Sequence, residues 1–165
     1  MAEGVSVYIA LGSNLQDPVG QIRAALEDLR KLPQTRLECV SSLYRTAPIG
    51  LTAQPEFINA VCRAKSALLP QVLMDALLAI ERAHARVRGA AKGGPRTLDL
   101  DLLLYGSERL QTDAVTLPHP RMHERAFVLV PLAELDSELE IPGHGKVRIL
   151  AAACCDQRVE RLMAA

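Results

Sequence analysis

Two aspartates one residue apart are the clearest candidates for chemistry in this sequence. Residues 97–102 read Thr-Leu-Asp-Leu-Asp-Leu, so apolar and acidic side chains alternate. In a strand this alternation places Asp99 and Asp101 on one face, about 6.6 Å apart at a rise of about 3.3 Å per residue. Carboxylates on one face repel each other unless a cation lies between them, and Mg²⁺ takes one or two carboxylates with water and phosphate oxygens. The spacing predicts a metal and phosphate site, with a solvated strand face as the alternative.

A run of basic residues immediately precedes the aspartate pair. Positions 82–96 contain no acidic residue and five cations: Arg82, Arg86, Arg88, Lys92 and Arg96. Cations near a helix C-terminus interact favourably with the helix dipole, which explains Arg86 and Arg88 without any ligand. Lys92 and Arg96 continue the series into a glycine-rich loop, which favours phosphate binding. Neither G-x-x-x-x-G-K-[ST] nor G-x-G-x-x-G occurs, so metal and arginine would have to hold the phosphates.

A pair of histidines offers a second metal hypothesis. His119 and His123 are four residues apart, a spacing that suits zinc on one helical face. Pro120 disfavours a regular helix there, and no third ligand is near in the sequence. We therefore interpret both as loop or surface histidines.

The elements expected to position these residues alternate between strands and helices. Strands are predicted at 5–11, 37–43, 57–64 and 97–105, and helices at 18–29, 70–89 and 123–132, the last broken by Pro131. The order β-α-β-β-α-β, followed by a helical and irregular tail, predicts an α+β, ferredoxin-like fold. In this fold a mostly antiparallel sheet has helices packed on it. We expect residues 1–165 to form a single domain, since no linker or repeat divides them.

The overall composition limits the partners. Lys plus Arg and Asp plus Glu are equal at 19 each, which gives no net field to attract nucleic acid or an anionic membrane. No apolar stretch approaches the roughly 20 residues that span a bilayer, and residues 1–4 lack a basic signal region. We expect a cytoplasmic protein with no membrane or nucleic-acid partner. Its cysteines, interpreted as reduced packing residues, are Cys39, Cys62, Cys154 and Cys155.

Five segments, in order along nearly the whole chain, carry a family pattern. They are residues 8–14, 41–46, 54–60, 94–101 and 118–128. With these segments the chain resembles the 6-hydroxymethyl-7,8-dihydropterin pyrophosphokinases of folate biosynthesis, and Gly-Pro-Arg-Thr-Leu-Asp-Leu-Asp at 94–101 is the most specific match. The resemblance implies a transferase with a single pyrophosphokinase domain, and we expect this domain to be a monomer. It would use Mg²⁺ to transfer pyrophosphate from ATP to the reduced pterin, giving the pterin diphosphate and AMP.

The resemblance also implies roles for particular residues. Two Mg²⁺ ions would be held by Asp99 and Asp101, with Arg86 and Arg96 as further catalytic residues beside the phosphates. The residues lining the nucleotide would be Arg88, Leu98, Thr116, His119 and Arg125. The residues around the pterin would be Thr46, Ala47, Pro48, Ile49, Phe57, Asn59 and Phe127. Phe57 and Phe127, the two phenylalanines of the chain, would lie on either side of the pterin ring, although core packing also explains them.

Some positions depart from the family pattern, and some loops are expected to move. Gly93 stands where some relatives have tryptophan, Pro120 where some have an aromatic residue, and Ala114 where some have arginine. These differences bear on loop order and nucleotide affinity rather than on the reaction. The loops expected to close over the substrates are 12–17, 46–55 and 89–95.

Two other classes of protein share this order of elements. A nucleic-acid-binding module would need strand aromatics and a basic surface, but aromatic residues make up 3% of this chain. A catalytically silent sensor of a small molecule would not need Asp99 and Asp101 on one face. Replacing both aspartates with asparagine should therefore leave a sensor's ligand binding intact.

Overall fold

The computed structural model describes residues 3–46, 55–88 and 98–165, and the side chains of residues 86–88 lie outside that description. The strands are β1 (Val5–Ser13), β2 (Thr35–Val40), β3 (Leu43–Thr46), β4 (Phe57–Ser66), β5 (Asp99–Tyr105), β6 (Leu110–Gln111), β7 (Thr116–Leu117), β8 (Glu140–Ile141), β9 (Gly145–Lys146) and β10 (Val159–Met163). The helices are α1 (Pro18–Arg30), α2 (Pro70–Arg88), α3 (Ala126–Leu135) and α4 (Val147–Ala153), with a 3₁₀ turn at Met122–Glu124.

A six-stranded sheet forms the centre of the fold. Its strand order is β10-β3-β4-β1-β5, and β2 also pairs with β4. Each pairing in the described part of the sheet is antiparallel. The two connections that contain α1 and α2 give the β-α-β-β-α-β order, so the predicted α+β, ferredoxin-like fold is confirmed.

Two helices cover one face of the sheet. Helix α1 begins after Asp17, whose Oδ1 accepts a hydrogen bond from Gly20 N at 3.2 Å, and Pro18 occupies its first turn. Its buried stripe and the buried stripe of α2 pack against the odd-numbered side chains of β1. The core on this face includes Ile9, Leu29 and Leu77, each fully or almost fully buried.

The opposite face carries a second core under α3 and α4. Tyr8 and Val61 of the sheet pack there against α3 residues such as Leu129 and Leu132. The β1–β5 register shifts between Tyr8 and Ile9, where Tyr8 pairs with Leu104 and Ile9 pairs with Leu102. This bulge allows two consecutive β5 residues to contribute to the second core.

The structure differs from the expected elements in the second strand and in the helix expected at 123–132. The strand expected at 37–43 is divided at Ser41 and Ser42, where Val61 N donates to Ser41 Oγ and Ser42 N donates to Glu134 instead of to a strand carbonyl. The helix expected at 123–132 is α3, which begins at residue 126 and continues through Pro131 without a break. The cost of a proline within a helix, about 3 kcal/mol, is offset by buried residues on the same helix worth about 1.5–3 kcal/mol each.

The chain's tail contains a strand that the sequence did not predict. Helix α4 agrees with a helical tail, but β10 then pairs with β3 at the sheet edge. Its register shifts between Arg161 and Met163, and an edge strand with a bulge does not show clean alternation. The described helices include none that is long and apolar enough to cross a membrane.

The cysteines are free thiols, as expected, but they are not all packing residues. Cys62 and Cys154 are buried and Cys39 is half-buried. Burial raises the pKa of the Cys62 thiol to about 12, so this thiol is unreactive. Cys155 is exposed, which contradicts the packing interpretation for that residue.

Candidate active site

A cleft of about 790 Å³ opens between the sheet, the start of α3 and the residues before β10. Its lining includes Ala10, Gly12, Thr46, Phe57, Asn59, Asp99, Asp101, Arg121, Glu124, Arg125, Phe127, Gln157, Arg158 and Val159. The volume suits a small organic ligand. The lining combines aromatic rings, amide groups and charges of both signs, which is the mixture that orients a polar heterocycle beside phosphate groups.

Small residues of β1 form the floor of the cleft. Gly12 pairs with Asn59 of β4 on one side and with Asp99 of β5 on the other. A Cβ atom at Gly12 would lie 2.9 Å from Asn59 Oδ1. Glycine at this position therefore leaves room for the Asn59 amide to lie across β1, next to the aspartate strand.

The aspartate strand has the alternation that the sequence predicted. Leu98, Leu100 and Leu102 are only 4%, 1% and 3% exposed and pack in the helix-covered core. Asp99 and Asp101 are half-buried and line the cleft on the opposite face. Both carboxylates therefore face a space that can hold a ligand rather than open solvent.

A contact from α2 holds the backbone between the two aspartates. β5 is an edge strand of the described sheet, so its outward amides have no strand partner there. Leu100 N donates to Glu81 Oε2 at 2.7 Å. Glu81 therefore fixes the strand at the residue that separates Asp99 from Asp101.

The carboxylates of Asp99 and Asp101 suit a divalent cation that takes only some of its ligands from the protein. Among the described residues, no group of three or more His, Cys, Asp or Glu side chains could hold a metal. Two cleft-facing carboxylates supply hard oxygen ligands and leave the remaining positions to water and phosphate, as Mg²⁺ requires. A closed zinc site is not formed by these residues.

The residues expected at the pterin lie together where they are described. Phe57 and Phe127 are half-buried on the cleft wall, and the Arg125 guanidinium carbon lies 5.5 Å from the centre of the Phe127 ring. Asn59 Nδ2 donates to Thr46 Oγ1 at 2.7 Å, and both residues are almost fully buried. The expected pterin contacts Ala47, Pro48 and Ile49 lie outside the described residues.

The residues expected at the nucleotide are more dispersed. Arg125 lines the cleft, whereas Leu98 packs in the core beneath the sheet, and Thr116 and His119 are half-buried outside the cleft lining. Arg96 and the side chains of Arg86 and Arg88 lie outside the described part of the chain. For these residues the roles implied by the resemblance stay predictions.

Burial favours the neutral form of the His119 imidazole, which lies close enough to interact with Asp101. Burial lowers its pKa below the usual value; Asp101 opposes this shift, while Arg125 and Arg121 add to it. The His119 backbone donates to Leu103 O at 2.9 Å, and Arg121 N donates to His119 Nδ1 at 3.2 Å. With Nδ1 as an acceptor, the neutral ring carries its proton on Nε2.

His123 belongs to a different environment. Its ring stacks on His144 with centroids 3.8 Å apart, and its buried Nδ1 has no hydrogen-bond partner among the described residues. His119 instead lies near Asp101, so the two histidines have separate contacts. The loop interpretation suits His119 and His123 better than the zinc hypothesis.

The C-terminal end of α3 is fastened to β3 by Glu134. Its carboxylate accepts from Ser42 N at 3.0 Å, from Ser42 Oγ at 3.0 Å and from Tyr44 Oη at 2.5 Å. Burial raises the pKa of Tyr44, and Glu134 raises it further. Burial disfavours the Glu134 anion, but bonds from Tyr44 and Ser42 outweigh it and hold its pKa below the usual value. The helix that carries Phe127 is thus tied to the strand that carries Thr46.

Four polar or charged lining residues were not among the expected site residues: Arg121, Glu124, Gln157 and Arg158. Arg121 and Glu124 lie within the segment 118–128 that carried the resemblance, so their neighbourhood was indicated. Gln157 and Arg158 lie in the tail, where no pattern in the sequence marked them. They reach the cleft because β10 returns to the sheet edge.

A ferredoxin-like sheet with a cleft on one face defines the chain as a small α+β domain whose ligand-sized cleft lies against the sheet. The family model for 7,8-dihydro-6-hydroxymethylpterin-pyrophosphokinase (HPPK) matches residues 8–137. The 2-amino-4-hydroxy-6-hydroxymethyldihydropteridine pyrophosphokinase of Pseudomonas aeruginosa is 48% identical over 156 residues, which cover 94% of this chain and 96% of that protein. The enzyme of that name from Haemophilus influenzae is 43% identical over 158 residues, covering 96% and 98%. The chain belongs to the HPPK family.

Solved structures show the same fold. A Plasmodium falciparum HPPK-DHPS has a TM-score of 0.70 at 12% identity, with 91% of this chain and 45% of that chain covered. An HPPK-DHPS solved in complex with substrates has a TM-score of 0.71 at 10% identity, with 94% and 44% covered. This chain therefore spans less than half the length of these solved chains. At this identity the likeness establishes the fold.

Proposed function

We propose that this HPPK-family enzyme transfers a diphosphate group from ATP to 6-hydroxymethyl-7,8-dihydropterin in folate biosynthesis. The products are the pterin diphosphate and AMP. The observation that carries the proposal is that Asp99 and Asp101 face the same cleft as Phe57, Phe127 and Asn59. One cleft thus presents carboxylates for a metal-bound phosphate chain and aromatic rings for a heterocycle.

Asp99 and Asp101 are the proposed Mg²⁺ ligands. Two ions would be shared between these carboxylates, water and the phosphate oxygens of ATP. When bound, the metal neutralises phosphate charge at the site of transfer. The proposal is supported by the half-buried, cleft-facing position of both side chains and by the Glu81 contact that fixes the strand between them.

Arginines supply the remaining positive charge. Arg121, Arg125 and Arg158 line the cleft, and a guanidinium can donate two parallel hydrogen bonds to a phosphate. The resemblance adds Arg86, Arg88 and Arg96 beside the phosphates. His119, with its proton on Nε2, offers a neutral donor close to Asp101.

The pterin is proposed to lie between the rings of Phe57 and Phe127. Stacking between aromatic planes orients a flat heterocycle, and the nearly buried Asn59 amide supplies a polar group at its edge. The bond from Asn59 to Thr46 holds this amide in one orientation before the ligand arrives. Such preorganisation lowers the entropy that binding would otherwise lose.

The reaction is a displacement at the β-phosphorus of ATP. The hydroxymethyl oxygen of the pterin forms the new O–P bond, the bond from the β-phosphorus to the α,β-bridging oxygen breaks, and AMP leaves with that electron pair. The hydroxyl proton passes to solvent, with the Asp101 carboxylate as the candidate acceptor nearest the metal site. Alignment and charge neutralisation by the cleft residues supply most of the acceleration, as in other phosphoryl transfers.

We also propose that residues 1–165 act as one monomeric domain in the cytoplasm. Support comes from the central six-stranded sheet, whose two faces both carry cores built from residues throughout the described chain. The four cysteines are free thiols, which fits a reducing compartment.

The test of the activity is the identity of the nucleotide product. The protein is incubated with ATP, Mg²⁺ and the reduced hydroxymethyl pterin, and nucleotides and pterins are separated by chromatography. AMP and pterin diphosphate in equal amounts are expected. ADP with pterin monophosphate would show that the γ-phosphate alone is transferred and would reject the proposed reaction.

A further inference from the structure

The segment before β10 forms part of the cleft although it lies beyond the residues that match the HPPK family model. The match covers 8–137, whereas Gln157, Arg158 and Val159 line the cleft. Val159 pairs with Thr46, so the segment is anchored to the β3 side of the site. Its other anchor is Gln157.

Both polar atoms of the Gln157 side-chain amide form hydrogen bonds with the backbone at the start of α3. Its Oε1 accepts from Ala126 N at 2.9 Å, and its Nε2 donates to Glu124 O at 2.8 Å. The first amides of a helix need acceptors, and Arg125 makes no side-chain cap bond in the described structure. Gln157 supplies that acceptor from more than 30 residues away in the chain.

These two bonds enclose Arg125. They hold the carbonyl before it and the amide after it, which leaves little freedom for its backbone. Its guanidinium lies over the ring of Phe127, which is in the first turn of α3. The two side chains thus share a backbone segment that Gln157 fixes.

We propose that Gln157 is a positioning residue. It sets the distance between the start of α3, which carries Arg125 and Phe127, and β3, which carries Thr46. Through Arg125 it acts on the nucleotide, and through Phe127 it acts on the pterin. The ligands named here rest on the proposed function, but the two hydrogen bonds of Gln157 are present in the chain without ligands. The C-terminal segment therefore contributes to ligand binding.

The experiment compares Gln157→Met with the wild type. Methionine keeps the length and most of the volume of glutamine but removes both hydrogen bonds, and Gln157→Ala serves as a second variant if methionine perturbs folding. Gln71→Met is the matched control, because Gln71 is exposed on α2 and its side chain bonds only to Asp75 among the contacts of the described residues. Three quantities are measured: amide hydrogen exchange at Ala126 in the ligand-free protein, dissociation constants for the pterin and for a magnesium complex of a non-hydrolysable ATP analogue, and the thermal midpoint.

In Gln157→Met we expect faster amide hydrogen exchange at Ala126. We also expect the dissociation constant of the pterin to rise about tenfold and that of the nucleotide analogue to rise less. Gln71→Met should match the wild type in every measurement. The proposal is overturned if Ala126 exchanges at the wild-type rate in Gln157→Met, or if binding is unchanged while the thermal midpoint falls, since that result would assign Gln157 a purely structural role. Failure of the wild type to release AMP would reject the proposed reaction alone, because the exchange measurement does not depend on it.

Discussion

Replacing Gly12 with alanine should impair pterin binding through a single displaced side chain. Gly12 does not have a positive φ and lies within β1, so its backbone accepts alanine without strain. The new methyl group, however, would lie 2.9 Å from Asn59 Oδ1, closer than such contacts normally come. We expect the amide to rotate away from the methyl group, and this rotation breaks its 2.7 Å bond to Thr46 Oγ1.

The size of the effect follows from that broken bond. A hydrogen bond contributes about 0.5–1.5 kcal/mol, and a buried polar group left without a partner costs about 1–3 kcal/mol. We expect the free energy of unfolding to fall by about 1–2 kcal/mol and the pterin dissociation constant to rise by about 10- to 100-fold. Titration calorimetry with the pterin and urea unfolding measure the two quantities.

A double-mutant cycle shows whether the methyl group acts through Asn59. Asn59→Ala removes the atom that the methyl group meets, so adding Gly12→Ala to that variant should change pterin binding little further. If the double variant loses as much pterin-binding free energy as the two single variants together, this explanation is refuted. Wild-type affinity in Gly12→Ala would refute it as well, since the amide would then have moved without consequence.

Three further predictions follow from the contacts around the cleft. Glu81→Ala removes the acceptor of Leu100 N, so we expect the free energy of unfolding to fall by about 1–2 kcal/mol and kcat to fall about tenfold. Glu81→Gln keeps an acceptor oxygen and should retain most of both. Urea unfolding and steady-state kinetics measure the two effects. The low pKa of Glu134 means that its anion stabilises the fold above its unfolded pKa and that this contribution is lost as the pH falls through its folded value. Glu134→Gln should therefore lose less stability than the wild type between about pH 5 and pH 3 in urea unfolding, and an equal loss would contradict the assignment. Asp101→Asn removes the charge that raises the His119 pKa, so an NMR titration should give a lower His119 pKa than in the wild type; a higher value would show that the two groups do not interact as described.

The parts of the fold that the sequence predicted depend on local repeats. The alternation of leucine and aspartate on β5 and the apolar stripes of α1 and α2 need only the period of a strand or a helix, and the structure confirms them. The division of the strand expected at 37–43 could not be predicted in this way, because it depends on Glu134, which is distant in the sequence. Pro131 within α3 is a similar case, since burial against the sheet outweighs a local preference.

The same distinction applies to the site. Phe57, Asn59 and Phe127 were expected from the resemblance and meet in one cleft. Gln157 and Arg158 were not expected, because their place depends on an edge strand whose bulge hides its alternation. The roles of residues 47–49 and of the arginines at 86, 88 and 96 stay predictions, as these side chains lie outside the described part of the structure.

The central claim is that two carboxylates on one strand face make the transfer of diphosphate possible. The most direct measurement is AMP release, at saturating ATP, Mg²⁺ and pterin, by the wild type and by the double variant Asp99→Asn with Asp101→Asn, alongside the thermal midpoint of each. We expect release to fall at least about a thousandfold without a lower thermal midpoint, because the metal ligands are lost while the repulsion between like charges is relieved. AMP release at the wild-type rate from a folded double variant would contradict the account.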